Sequence, residues 1–86
     1  MATMGDSGLP DVVLYSRSSC HLCDDAREVI LAERERSAFR FREVLVDGDG
    51  DLERAYGLRV PVVTVAGTEA FEYTVNPSEL RRLVRE

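Results

Sequence analysis

Ser16-Arg17-Ser18-Ser19-Cys20-His21-Leu22-Cys23-Asp24-Asp25 is the stretch from which the rest of the chain can be read. At its centre is a Cys-x-x-Cys spacing formed by the only two cysteines in 86 residues. The run before it, Asp11-Val12-Val13-Leu14-Tyr15, is almost continuously apolar, which predicts a first strand buried on both faces of a mixed sheet. From Cys20 to about Glu35, Leu22, Ala26, Val29 and Ile30 recur with helical spacing, while Asp24, Arg27, Glu28 and Arg34 fall elsewhere. This predicts an amphipathic helix that Ser18 or Ser19 can cap. Its acidic residues lie early and Arg34 and Arg36 late, which suits the helix dipole. A dithiol set between a strand and the start of a helix is the arrangement of a redox-active pair.

Beyond this stretch, Phe39 to Val46 begins with strict alternation and ends apolar, a second strand parallel to the first because a helix connects them. Asp47-Gly48-Asp49-Gly50-Asp51 is a turn into a short helix, Leu52 to Tyr56, with Gly57 at its C-cap. Its acidic spacing is not a calcium loop, because leucines stand where the required glycine and glutamate belong, at Leu52 and Leu58. Val60-Pro61-Val62-Val63-Thr64-Val65 reads as a third strand, Ala66-Gly67-Thr68 as a hairpin turn, and Glu69 to Tyr73 as a fourth, antiparallel strand. Asn76-Pro77-Ser78-Glu79 then starts a final helix with Leu80, Leu83 and Val84 on its buried stripe. The expected order is β-α-β-α-β-β-α, with residues 1–10 a flexible tail and residues 11–86 one domain.

A formal net charge of -5 argues against nucleic acid as the main partner. No stretch approaches the roughly 20 apolar residues that cross a bilayer. Met1 to Pro10 lacks the basic and apolar regions of a signal peptide, so the cytoplasm is the expected location and a monomer the expected state. In that compartment a two-residue cysteine spacing points to catalysis or metal binding rather than to a structural staple.

Disulfide exchange needs an accessible thiolate and a second thiol within reach. Cys20, in the first turn of a helix, meets unpaired N–H groups and the positive dipole end, an environment that lowers a thiol pKa from about 8.5 to roughly 3.5–7.5. Cys23 lies three residues on, within disulfide reach. Cys20 is therefore the expected nucleophile and Cys23 the resolving thiol, the alternative being two core cysteines with this spacing by chance. His21, if protonated, favours the thiolate and a more oxidising potential; otherwise it is an exposed helix residue. Arg17 is placed to hold a substrate carboxylate, or is a surface charge. Pro61 forfeits a ladder donor, and beside the dithiol a cis Val60–Pro61 bond would expose the Val60 backbone to a substrate strand. On spacing alone, a trans edge proline is the commoner case.

With Cys20-His21-Leu22-Cys23 after a strand, Tyr15-Ser16-Arg17-Ser18-Ser19 leading into it, and Ala55-Tyr56-Gly57-Leu58-Arg59-Val60-Pro61 leading to a third strand, the chain resembles the glutaredoxin-like branch of the thioredoxin superfamily. The resemblance runs from Asp11 onward. It implies an α/β fold with a four-stranded mixed sheet in order 2-1-3-4, helices on both faces, and a cis Pro61. It further implies thiol–disulfide oxidoreductase activity on a protein or small-thiol disulfide. No cofactor is expected to be tightly bound, and electrons would come from glutathione, another low-molecular-weight thiol or a reductase. The chain departs from the classical pattern in three places. His21-Leu22 replaces Pro-Tyr, Arg59 replaces threonine, and Tyr73-Thr74-Val75-Asn76 stands where a Gly-Gly-x-Asp stretch grips glutathione. Arg59 can supply a different anion contact if it faces the groove. The rival readings are a zinc or iron–sulfur protein that completes its ligands from a second chain or bound thiols, and a redox sensor or interaction module without turnover.

Overall fold

The chain alternates strand and helix until Val62 and then closes with a hairpin and a final helix. The computed structural model describes residues 8–85. Its elements are β1 (Asp11–Ser16), α1 (His21–Arg34), β2 (Arg40–Leu45), α2 (Gly50–Tyr56), β3 (Val62–Val65), β4 (Thr68–Glu72) and α3 (Pro77–Arg85). Residues 1–7 of the expected tail, and Glu86, lie outside the described residues. Leu9 and Pro10 are half-buried, and the Pro10 carbonyl accepts the Arg40 N–H at 3.0 Å.

The sheet order is β2-β1-β3-β4, as the resemblance implied. The α1 crossover makes β1 and β2 parallel, and β3 returns antiparallel to β1 with Leu14 opposite Val63 and Tyr15 opposite Val62. Val12 and Leu14 on one face of β1 meet Val63 and Val65, and Ala26 and Ile30 of α1 with Leu80 and Val84 of α3 close the core over them. Successive strand residues face opposite ways. Tyr15 therefore points to the other face, where its ring stacks on Tyr56 at the end of α2, centroids 4.3 Å apart. Helices thus lie on both faces. The continuous apolar run of β1 is buried on both sides, as its sequence predicts.

Several boundaries differ from the sequence reading, most by one residue, and three of the differences have a clear physical cause. The third strand starts at Val62 rather than Val60, because Pro61 has no N–H to give to the ladder. The short helix begins earlier, at Gly50, because the Asp49 carboxylate caps it by accepting the N–H groups of Asp51 and Leu52, each at 3.1 Å. The long helix begins at His21 with Cys20, not Ser18 or Ser19, as its cap. Asn76 does cap α3, accepting the Glu79 N–H at 3.0 Å.

Between α1 and α3 lies one deeply buried charge. Glu33 is only 3% exposed, and its carboxylate takes two bonds from Arg81, at 2.9 and 3.0 Å, and one from the Ser37 hydroxyl at 2.9 Å. The Arg81 bonds chiefly, with Ser37 adding to them, hold the Glu33 carboxyl below its ordinary range against the opposing effect of burial. A buried acceptor stripped of its charged donor costs more than the bond itself was worth. Arg81→Met is expected to lower unfolding free energy by about 1–3 kcal/mol in urea titrations. Because the folded-state value is depressed, this contribution is complete above the ordinary carboxylate range and fades as pH falls through the lowered value. Parent and variant should therefore converge in stability in acid. A gap that widens there would contradict the assignment.

Candidate functional site

The site forms where β1 ends. Ser16, its last residue, is fully buried and gives its hydroxyl to Glu43 at 2.6 Å, so the chain leaves the sheet from a fixed point. Arg17 then reaches across to α2, donating to Glu53 at 2.7 Å and to the Gly57 carbonyl at 3.0 Å. Ser18 donates both its N–H and its hydroxyl to Asp47 after β2. Ser19 turns the backbone through the left-handed region, with φ 57°. These bonds explain why neither serine caps α1: the Ser18 hydroxyl is committed elsewhere, and Ser19 lacks the extended backbone of a cap residue.

Cys20 has that extended geometry, with φ -113° and ψ 110°, and its Sγ accepts the Cys23 N–H at 3.1 Å. The half-buried Cys20 sulfur thus occupies the place of a capping oxygen at the positive end of a 14-residue helix. Cys23, one turn on, is 0% exposed. The two sulfurs lie at disulfide-bonding distance, with the α-carbons 5.2 Å apart. One cysteine faces out and is held by a helix N–H; the other lies behind it in the core.

The Val60–Pro61 peptide bond is cis. Since Tyr15 pairs with Val62, Pro61 sits one step further along, level with the end of β1 from which the Cys20 loop departs. Pro61 is buried, and its carbonyl accepts the Tyr73 N–H at 2.8 Å. Val60 is half-buried beside it.

Arg17 and Arg59, singled out as anion contacts, both have carboxylate partners within the chain. Arg59 donates to Glu69 at 3.0 Å and to Glu72 at 2.8 Å, and its guanidinium lies 5.6 Å from the Tyr56 ring centroid. Glu69 and Glu72 raise its pKa, as the bond to Glu53 raises that of Arg17. The converse holds for the acids. The Ser18 hydroxyl chiefly lowers Asp47, with Arg17 adding to it, while Arg27 chiefly lowers Glu43, helped by Ser16. The Tyr56 phenol is pushed up, first by burial and then by Tyr15. The His21 side chain is 86% exposed, with Nε2 3.5 Å from Asp25. Among the described residues, no group of three or more His, Cys, Asp or Glu side chains is arranged to hold a metal ion.

A profile of the family described as Glutaredoxin-like domain (DUF836) matches residues 11–85. The chain belongs to this family. An X-ray structure of the structural-genomics target protein XcR50 from X. campestris is similar to this glutaredoxin-like domain at 42% identity. The match covers 83% of this chain and 91% of that one, with TM-score 0.66. The solution structure of protein Ne2328 from Nitrosomonas europaea is similar at 26% identity, 88% and 92% coverage and TM-score 0.76. A glutaredoxin from Archaeoglobus fulgidus shares the fold at 19% identity, 96% and 95% coverage and TM-score 0.62.

Sequence reasoning missed Glu43, Asp47 and Glu53, which hold the loop, and Tyr73, whose backbone also adopts a left-handed φ of 69°. Gly57 is the C-cap, but in a right-handed conformation, φ -52°, so backbone freedom is not why glycine is needed. A Cβ there would stand 2.5 Å from the Glu53 carbonyl, 2.6 Å from its carboxylate and 3.0 Å from the Arg17 guanidinium. The missing side chain is the space through which Arg17 reaches α2. Gly57→Ala is expected to destabilise the glutaredoxin-like domain by about 1–3 kcal/mol, as overpacking does. It should also speed hydrogen exchange at Ser18; an unchanged melting curve and unchanged exchange would contradict this reading.

Proposed function

We propose that this domain is a thiol–disulfide oxidoreductase in which Cys20 attacks and Cys23 resolves. The observation that carries the reading is the bond from the Cys23 N–H to the Cys20 sulfur at a helix start, with the second cysteine buried behind it. A donor aimed at Cys20 Sγ favours the charged thiolate over the neutral thiol, and partial exposure lets a substrate sulfur reach it.

In the forward direction the Cys20 thiolate attacks one sulfur of a substrate disulfide. A bond forms between Cys20 and that sulfur, the substrate S–S bond breaks, and the other substrate sulfur leaves as a thiolate that takes a proton from water. Cys23, losing its proton, then attacks Cys20 Sγ. The mixed disulfide breaks, the second substrate thiol departs, and a Cys20–Cys23 disulfide remains. Two electrons have moved to the substrate, and the same number must return from a low-molecular-weight thiol such as glutathione or from a dithiol reductase. No tightly bound cofactor enters this cycle. A reducing compartment such as the cytoplasm suits it. The cis Val60–Pro61 bond supports a substrate-binding role for the Val60 backbone, which lies just beyond the Tyr15–Val62 pairing at the end of β1 and can pair with an extended substrate segment. His21, at the helix start next to Cys20, is the residue proposed to adjust the potential.

The two cysteines have different roles, so their variants should fail differently. Cys20→Ser is expected to lose disulfide reduction by at least about 10³-fold, since an alcohol at neutral pH supplies no comparable nucleophile. Cys23→Ser should instead accumulate a mixed disulfide through Cys20, visible by mass spectrometry as a dithiothreitol-sensitive adduct. Reduction by Cys20→Ser at the parental rate would sink the mechanism.

A further inference from the structure

The charges beside the dithiol follow one pattern. Arg17 is shared by Glu53 and Asp47, at 2.7 and 4.0 Å. Arg27, one turn beyond Cys23, is shared by Asp24 and Glu43, at 2.9 and 2.7 Å. Arg59, two residues before Pro61, is shared by Glu69 and Glu72, at 3.0 and 2.8 Å. Each cluster sets one cation against two carboxylates and so carries one net negative charge. The only other basic group these contacts bring to the site, His21, faces Asp25. A small anionic thiol approaching Cys20 therefore finds these arginines already bonded within the chain, in clusters that each carry one net negative charge.

The uncharged part of the rim has a different character. Among the described residues five large hydrophobic side chains are exposed, and three of them, Leu22, Leu58 and Tyr73, lie here. Leu22 stands between the cysteines and shares a cleft of about 140 Å³ with Tyr73, Thr74 and Val75. Small-molecule sites are commonly roughly 300–1,000 Å³, so the cleft suits one inserted side chain rather than a whole ligand. Tyr73 lines this cleft beside Leu22 and is tied twice to the segment that carries Leu58: its N–H bonds the Pro61 carbonyl at 2.8 Å and its phenol donates to the Leu58 carbonyl at 3.3 Å. It does so from a left-handed backbone, φ 69°, that bulky residues seldom adopt, so the ring is kept at this place against a conformational cost. Leu58 is 94% exposed, an apolar side chain with almost no covering.

We propose that the row Leu22–Tyr73–Leu58 docks an extended polypeptide segment whose disulfide-bonded cysteine is flanked by apolar and basic residues, with Tyr73 setting that preference, and that small anionic disulfides are poor substrates. This rests on the thiol–disulfide reading above and names its substrate class. The apolar flank fills the cleft beside Leu22, the segment's backbone runs along Val60, and its cations meet the net negative clusters. The chemistry is the two-step exchange already described, with dithiothreitol as the dithiol reductant that loads the enzyme.

The test is single-turnover exchange. Enzyme reduced by dithiothreitol and freed of it is mixed with one of five disulfides, acid-quenched, and scored by mass for Cys20–Cys23 disulfide formation. Four of the substrates are symmetric glutathione disulfide and three peptide disulfides: cysteine flanked by leucine and arginine, the same with glutamate for arginine, and the same with serine for leucine. Uncharged hydroxyethyl disulfide is the fifth. The leucine–arginine peptide should react at least tenfold faster than its glutamate counterpart and than glutathione disulfide. The arginine–glutamate difference should shrink in 0.5 M salt, where the screening length falls to roughly 4 Å. The leucine–serine difference should persist there. In Tyr73→Gly, which accepts the positive φ, and in Leu58→Ser, the rate ratio of the leucine to the serine peptide should drop at least threefold. The second variant alters a side chain that packs on almost nothing, so folding does not confound it. Exchange with hydroxyethyl disulfide but no preference among peptides, or faster exchange with glutathione disulfide, overturns the docking rim and leaves the oxidoreductase reading standing. No exchange with any of the five overturns both.

Discussion

A helix begins with N–H groups that its own backbone cannot satisfy, and the usual remedy is a side-chain oxygen from serine, threonine or aspartate. In this domain two serines precede the helix and the acceptor is nevertheless the Cys20 sulfur. That choice is forced from outside the helix. Ser18 is drawn to Asp47, Ser19 turns left-handed, and Ser16 is fixed in the sheet by Glu43, so the backbone reaches its first extended residue at Cys20. The bond that starts the helix is then a bond to the outward-facing sulfur of the pair. Folding of α1 and the placing of the Cys20 sulfur depend on one interaction, and a change to the loop that shifts the cap by one residue alters both.

The loop is held by polar links because little apolar material is within reach. The short helix α2 has no buried residue, and a chain of 86 residues has a small core. Exposed ion pairs are individually weak. Arg17 does better than a lone surface pair because one guanidinium takes both a carboxylate and a backbone carbonyl on α2, through the gap that Gly57 leaves. Arg27 likewise binds Glu43 through two nitrogens, tying α1 to β2 just behind Ser16. These contacts position more than they stabilise. They also explain why an acidic chain places arginines near its cysteine pair without making the surroundings positive.

Periodicity and capping chemistry carried most of the fold. The apolar run of β1, the helical spacing after Cys20, the Asn76-Pro77 start of α3 and the succession of strands and helices along the chain were all legible, because each depends on residues close in sequence. The family resemblance added the sheet order and the cis proline, which spacing alone argued against. What was not legible depends on distant partners. Arg17 and Glu53 are 36 residues apart, and Arg59 meets Glu69 and Glu72 only once β4 folds back. Read one at a time, both arginines look like free anion sites. Gly57 was found at the right place for the wrong reason, since a cap position is visible in sequence and a guanidinium passing over it is not. By itself Tyr73 gave no signal, because a left-handed residue at a strand end is marked in sequence only when it is glycine or asparagine, and the one hint was the glycine pair that the resembled family has in its place.

Tyr73 also shows how so small a domain keeps its two halves in register around the dithiol. Cys20 hangs from β1 and α1, whereas Val60 and Pro61 belong to the segment entering β3, which the Tyr15–Val62 pairing and the Arg59 bonds to Glu69 and Glu72 already hold. Tyr73 binds it twice more, at the Pro61 carbonyl through its backbone and at the Leu58 carbonyl through its phenol. The segment from Leu58 to Pro61 is thereby fixed to the end of β4 as well as to β1. On the proposed reading, in which the Val60 backbone pairs with a substrate segment, that backbone must hold its place while its own polar groups stay available, so its neighbours have to do the holding. That division of labour gives a physical reason to place a bulky aromatic residue in a backbone region where glycine would be easier.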